Sequence, residues 1–216
     1  MVERSKMRAS LPELSQEKQT LILNAAQSRF ARYGFSKVTM DEIAEDVGMA
    51  KASLYYYYPT KEDLFRSVIE REQAEFLRQM TALLQQEISA SKKLTTYVEN
   101  RVKLTYTLAN LSSLNLQLWK NPRPGFESLF TSFANEELNL LTDTLREGKQ
   151  SGEFGIASPE KTAVMLLHVL QALRLHLLRN NLKGPNQQPE NDELEKETCL
   201  LMETLLHGLI KRNGHS

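Results

Sequence analysis

Apolar residues recur along this chain at helical spacing almost from end to end. Leu21, Ile22, Ala25, Ala26, Phe30 and Tyr33 form a stripe that predicts a helix over about residues 15–33, with Ser15 as its N-cap. Gly34 is expected to end it in a left-handed conformation. Thr39 and Glu42 have the spacing of a capping box and open a second, short helix, whose Ile43, Ala44 and Val47 face inward. Gly48 supplies a tight turn with positive φ. A third helix covers about residues 50–57 and stops at Pro59, whose ring clashes with a continuing helix. Thr60 with Asp63 caps a fourth, with Leu64, Phe65, Val68 and Ile69 as its core stripe.

From about residue 72 the composition shifts to longer, Leu-rich helices. They are expected at about 72–89, 94–118, 126–149, 158–181 and 192–212. The segment Asn121 to Gly125 holds two prolines and a glycine and separates two of them, while Gly148, Gly152 and Gly155 mark another turn. Ser158-Pro159-Glu160 is a strong helix start, and the polar loop 184–190 parts the last two helices. Strand-like alternation and internal repeats are absent from the sequence. The expected fold is all-α with about nine helices. Residues 1–14 form a basic arm carrying Arg4, Lys6 and Arg8. Residues 15–71 hold a three-helix bundle with a helix-turn-helix over 39–58, and residues 72–216 form a larger C-terminal helical domain.

Composition narrows the class. The chain has 216 residues, 41% apolar and 25% charged, with a formal net charge of zero, as in soluble globular proteins. A polyanion-binding surface must therefore concentrate positive charge locally. Cys199 is the single cysteine, so no internal disulfide forms. No apolar run reaches the roughly 18 residues of a membrane span, and the N-terminus lacks a secretory pattern. A cytoplasmic protein with no membrane partner is expected.

The chemistry concentrates in residues 39–65. Tyr55, Tyr56, Tyr57 and Tyr58 are four of the seven tyrosines. Each helical step turns by about 100°, so four neighbours cannot all face one core. Lys51 and Lys61 flank them. A helix-turn-helix needs two short helices held by a few small or branched apolar residues, the second presenting polar side chains to the major groove. Ile43, Ala44, Val47 and Leu54 fit the internal contacts; Lys51, Ser53, Tyr55, Tyr56 and Tyr57 remain for DNA.

Over about residues 16–70 the chain resembles the TetR/AcrR family of transcriptional regulators. The resemblance is carried by Ala25–Ala26, Phe30, Gly34, Thr39, Ile43–Ala44, Gly48, Lys51, Leu54–Tyr55, Tyr57, Pro59, Lys61–Glu62 and Leu64. It implies that Thr39 binds phosphate, and that Lys51, Ala52 and Ser53 open the recognition helix nearest the base edges. It further implies that Tyr55, Tyr56 and Tyr57 touch phosphates or bases, and that Lys61 clamps a phosphate. Tyr58 occupies the family's aromatic core position. Two departures stand out: Ala50 replaces a frequent capping serine, and the recognition helix lacks Arg, Asn and Gln, the usual bidentate readers. The expected function is a ligand-released repressor on a palindromic operator. An effector-independent architectural DNA-binding protein is the alternative.

Dimerisation is expected through the last two long helices, about 158–181 and 192–212. Ala163, Leu166, Leu167, Leu170, Leu173 and Leu177 form one apolar face, and Leu194, Cys199, Leu201, Met202, Leu205, Leu206 and Leu209 the other. The competing reading is that both faces close the subunit's own core. Tyr97, Tyr106, Trp119, Phe126 and His168 are candidates for lining an effector pocket, with core roles equally open for the aromatic ones. His168, His176 and His207 lack ligand spacing, so no metal is expected. Nor is a cofactor or an enzymatic activity: no P-loop, GxGxxG, GxSxG or HExxH occurs.

Overall fold

The computed structural model describes residues 11–108, 110, 126–181, 196, 200, 201, 203–205 and 207–209. The basic residues of the arm, Trp119, the break at 121–125 and the loop 184–190 lie outside them. The elements are α1 (Leu11–Tyr33), α2 (Met40–Asp46), α3 (Lys51–Tyr57), α4 (Lys61–Leu84), α5 (Ala90–Thr107), α6 (Glu127–Gln150) and α7 (Pro159–Asn181), with no β-strand among the described residues. Packing divides the chain into two units, Met1–Arg71 and Glu72–Ser216.

In the first unit α1 starts at Leu11, four residues ahead of Ser15. Pro12 is tolerated in a first helical turn, where its missing N–H costs nothing. The core joins Ile22, Ala26 and Phe30 of α1 to Ile43 and Ala44 of α2, Leu54 of α3, and Leu64, Phe65, Val68 and Ile69 of α4. Phe35 and Val38, from the α1–α2 turn, are buried with them. The Phe65 ring lies 4.9 Å from Phe30, edge to face, and 4.8 Å from Phe35. Leu21 and Tyr33, both assigned to the apolar stripe, are exposed instead. They sit at its edges, where a stripe of three or four residues per two turns has already been filled. Arg71 of α4 reaches α1, donating to the Leu23 carbonyl and Asn24 Oδ1 at 2.9 Å each and to Gln27 Oε1. Gly34 and Gly48 take φ of +79° and +61°, as the turns require.

The helix break expected near residue 72 does not exist: α4 runs without interruption from Lys61 to Leu84. The change in composition there is not a change in backbone. Glu70-Arg-Glu-Gln-Ala-Glu75 are all residues compatible with a helix, and neither Gly nor Pro interrupts them. The next helix starts four residues before the expected 94, because Ser89 Oγ accepts from Lys92 N–H and caps α5.

In the second unit α5 packs on α6, and α6 on α7. Glu153, in the turn after α6, accepts the free N–H groups of Ala90 and Ser91 at 3.1 and 3.0 Å and so caps α5 from a distance. A Cβ on Gly148 would lie 2.2 Å from the Phe154 ring, which is why a glycine stands there. Ser158 Oγ caps α7 by accepting from Lys161 N–H, and Gly155 N–H donates to Leu209 O at 2.9 Å. The α7 residues Ala163, Leu166, Leu167 and Leu170 are buried within the subunit. They serve its core rather than a contact with a second copy. The opposite side of α7 exposes Val164, Met165 and His168. Among the described residues no helix is long and apolar enough to cross a membrane.

A charged cluster is buried in this unit. Glu137 of α6 accepts from Tyr97 Oη and from Nε and Nη2 of Arg101, both on α5, and all three side chains are at least 94% buried. Burial pushes the Tyr97 hydroxyl well above its usual range, so it stays protonated and donates. Removing one member of such a pair leaves an uncompensated buried charge. Glu137→Ala should therefore cost about 3–5 kcal/mol in urea unfolding, and the double variant Arg101→Met/Glu137→Leu should recover most of that loss.

Candidate DNA interface

The candidate surface is assembled from the turn before α2, the first turn of α2, and the outer face of α3. Thr39 is the N-cap of α2, in extended conformation (φ −111°, ψ 156°). The capping box forms: Thr39 Oγ1 accepts from Glu42 N–H, and Thr39 N–H and Oγ1–H both donate to Glu42 Oε2 at 2.8 Å. Those bonds, the backbone one foremost, hold the Glu42 carboxyl below its usual range. Asp46, at the other end of α2, pairs with Arg29 of α1, whose hydrogen bond lowers its pKa likewise. Arg29 also lies 3.4 Å from Glu42. Two of the four acids of α2, which are Asp41, Glu42, Glu45 and Asp46, are thus engaged in building the fold.

Seven residues are too few for a stable isolated helix, so α3 depends on its anchor. Leu54 is fully buried, and Tyr58, directly after the helix, is buried with it. Ala50 makes no side-chain cap, and only the backbone closes the first turn, through Ser53 N–H and Leu54 N–H to Ala50 O. Ala52 and Tyr56 each lie two residues from Leu54 and so point roughly opposite it. Tyr56 is 83% exposed and Tyr55 39%; Lys51, Ala52 and Ser53 are also exposed, and Tyr57 is half-buried with its ring 5.4 Å from that of Tyr56. The structure therefore brings Lys51, Ala52, Ser53, Tyr55 and Tyr56 onto one short, outward-facing rod.

Lys61 has a second occupation that its position in the sequence did not reveal. Its Nζ donates to the carbonyls of Phe35 and Val38 at 3.0 and 2.9 Å and sits 4.5 Å from the centre of the Phe35 ring. An ammonium carries three N–H donors, so one remains. Lys37, exposed in the turn held by these bonds, was not singled out from sequence, since a lone surface lysine carries no pattern. The pairing of Asp41 with Lys51, whose Nζ lies 2.7 Å from the carboxylate, joins two helices and has no spacing that marks it in the sequence.

The pocket candidates separate. Tyr97 is buried in the cluster with Glu137 and Arg101, Phe126 is buried at the start of α6, and His168 is exposed. The Tyr106 side chain and Trp119 lie outside the described residues. Among the described residues, no three or more His, Cys, Asp or Glu side chains are placed to hold a metal ion.

A capped helix, a glycine turn and a second helix with an exposed polar face define a helix-turn-helix DNA-binding unit. Residues 22–68 match the model of the bacterial regulatory proteins of the tetR family. A solved transcriptional regulator from Cytophaga hutchinsonii is 38% identical, with 90% of this chain and 99% of that one covered and a TM-score of 0.78. The fatty acid metabolism regulator protein of Bacillus subtilis is 25% identical over 133 residues, 62% of this chain and 69% of that protein. FadR from Bacillus subtilis, solved in complex with stearoyl-CoA, shares the fold at 21% identity, a TM-score of 0.68 and coverage of 85% of this chain and 96% of its own. The chain belongs to the tetR family and is a DNA-binding transcriptional regulator.

The ties between α1 and α2 have a pH signature. Glu42 and Asp46 have depressed pKa values in the folded state. Their contribution is complete above the unfolded carboxylate range and is lost as pH falls through the folded values. Thermal melts between pH 7 and pH 3 should show the melting temperature falling below about pH 5, and Arg29→Met should flatten that fall.

Proposed function

We propose that this protein represses transcription as a homodimer on a palindromic operator and is released by a small, partly apolar ligand taken up in the second unit. The observation that carries the proposal is the exposed face of α3, held outward by the buried Leu54. Lys51 and Tyr55 read base edges in the major groove, with Ala52 and Ser53 against them. Tyr56 and Tyr57 contact phosphates or thymine methyls, and Thr39, Lys61 and Lys37 bind the backbone. Thr39 exchanges its Glu42 partner for phosphate, and Lys61 uses its third N–H while its other two hold the turn. The work is done in the cytoplasm, where the DNA is.

One reading rod covers only a few base pairs, so specific affinity calls for two, about one helical turn or a multiple of it apart. The exposed Val164, Met165 and His168 of α7, and separately the exposed Leu200 and Leu201, support an interface between subunits formed by the second unit. FadR with its stearoyl-CoA is a precedent for a partly apolar ligand. Release follows if the ligand prefers a conformer in which the two rods are wrongly spaced, and coupling cannot exceed that preference.

A gel shift of a palindromic site from near the gene, with and without stearoyl-CoA or other candidate ligands, tests the proposal. Failure to bind any DNA at low salt defeats it. Lys51→Ala should cost about 1–3 kcal/mol on the preferred site and relax its sequence preference. Lys61→Ala should weaken binding about equally on all sequences and lower the salt slope by about one unit.

A further inference from the structure

Asp41 stands in the first turn of α2 and Lys51 at the first position of α3, and the two side chains meet across the glycine turn, Nζ at 2.7 Å from Oδ1 and 2.8 Å from Oδ2. Both are exposed, at 61% and 57%. On its other side the ammonium faces the Tyr55 ring, 5.9 Å from its centre. Lys51 is the sole charged residue of α3. Of the other acids of α2, Glu42 closes the capping box, Asp46 pairs with Arg29, and Glu45 is exposed. The reading helix therefore carries its one cation already neutralised by a neighbouring helix.

We infer that Asp41 is a specificity-determining residue, the counter-ion that keeps Lys51 from anchoring on any phosphate it meets. The inference rests on α3 being the reading helix. Phosphates attract a free ammonium equally at every sequence, which is the source of non-specific binding. A carboxylate beside that ammonium cancels the attraction and repels the phosphate. Guanine O6 and N7 are neutral acceptors and suffer no such repulsion. The ammonium has three N–H groups, so it can keep a bond to Asp41 and still donate to a base edge. The pair thus favours a neutral acceptor presented at the right place over an anion presented anywhere. An exposed ion pair contributes little to folding, so this role is separable from stability.

The test uses the full chain and two labelled duplexes of equal length: the site that the wild-type protein enriches from a random pool, and a scrambled sequence. Asp41→Asn should strengthen binding to the scrambled duplex by about three- to tenfold and steepen its salt slope by about one unit. Affinity for the selected site should change less, so the ratio between the two falls. Asp41→Ser should do the same. Glu45→Gln, which removes an equal charge from the same helix, should leave that ratio unchanged. An unaltered ratio in both Asp41 variants overturns the inference, as does an equal shift from Glu45→Gln. A wild-type protein that binds neither duplex overturns the reading helix itself, and the inference with it.

Discussion

The burial of Leu54 is the constraint on which the rest depends. A helix of seven residues has no independent stability, since nucleation alone costs more than a turn or two of hydrogen bonds returns. It exists here because Leu54, with no exposed surface, is fixed in the core of the first unit, where α3 packs on α2, and because Tyr58 continues the anchor beyond its end. That one contact determines which way the remaining residues point. With Leu54 inward, Ala52 and Tyr56 must point out, and Lys51, Ser53 and Tyr55 follow. The exposed face of α3, and with it the proposed recognition surface, is the complement of a packing decision.

The polar groups around it divide between building and binding. Glu42, Asp46 and Arg29 join α1 to α2, and Lys61 holds the intervening turn through two carbonyls. Because these charges are consumed internally, a chain of zero net charge can still present a small reading surface of tyrosine, serine and a single lysine. Such a surface leans on shape and aromatic contact more than on bidentate hydrogen bonds. That makes the one charge it carries, and whatever neutralises it, disproportionately important.

What could be read from the residues alone was what depends on near neighbours. The Thr39–Glu42 box, the left-handed Gly34 and Gly48, the Thr60–Asp63 cap and the inward Leu54 each follow from three or four adjacent positions. What escaped was set by residues far apart in the chain. Lys61 bonds carbonyls 26 and 23 residues away, and Glu137 meets Tyr97 and Arg101 at separations of 40 and 36. No spacing rule announces such pairs. The side of α7 that faces the core was also undetermined: an apolar stripe says that something covers it, and α6 of the same subunit reaches it first. At residue 72 the composition changes while the backbone continues as one helix, and composition alone does not distinguish the two.

The central claim is that the outer face of α3 lies against duplex DNA. Photo-cross-linking from p-benzoylphenylalanine placed at Tyr56, the most exposed tyrosine of the rod, addresses it directly, with the same probe at Leu201 of the second unit as the reference. The account predicts a covalent adduct with bound duplex from position 56 and none from position 201. Retention of DNA binding with no adduct at 56 would contradict it.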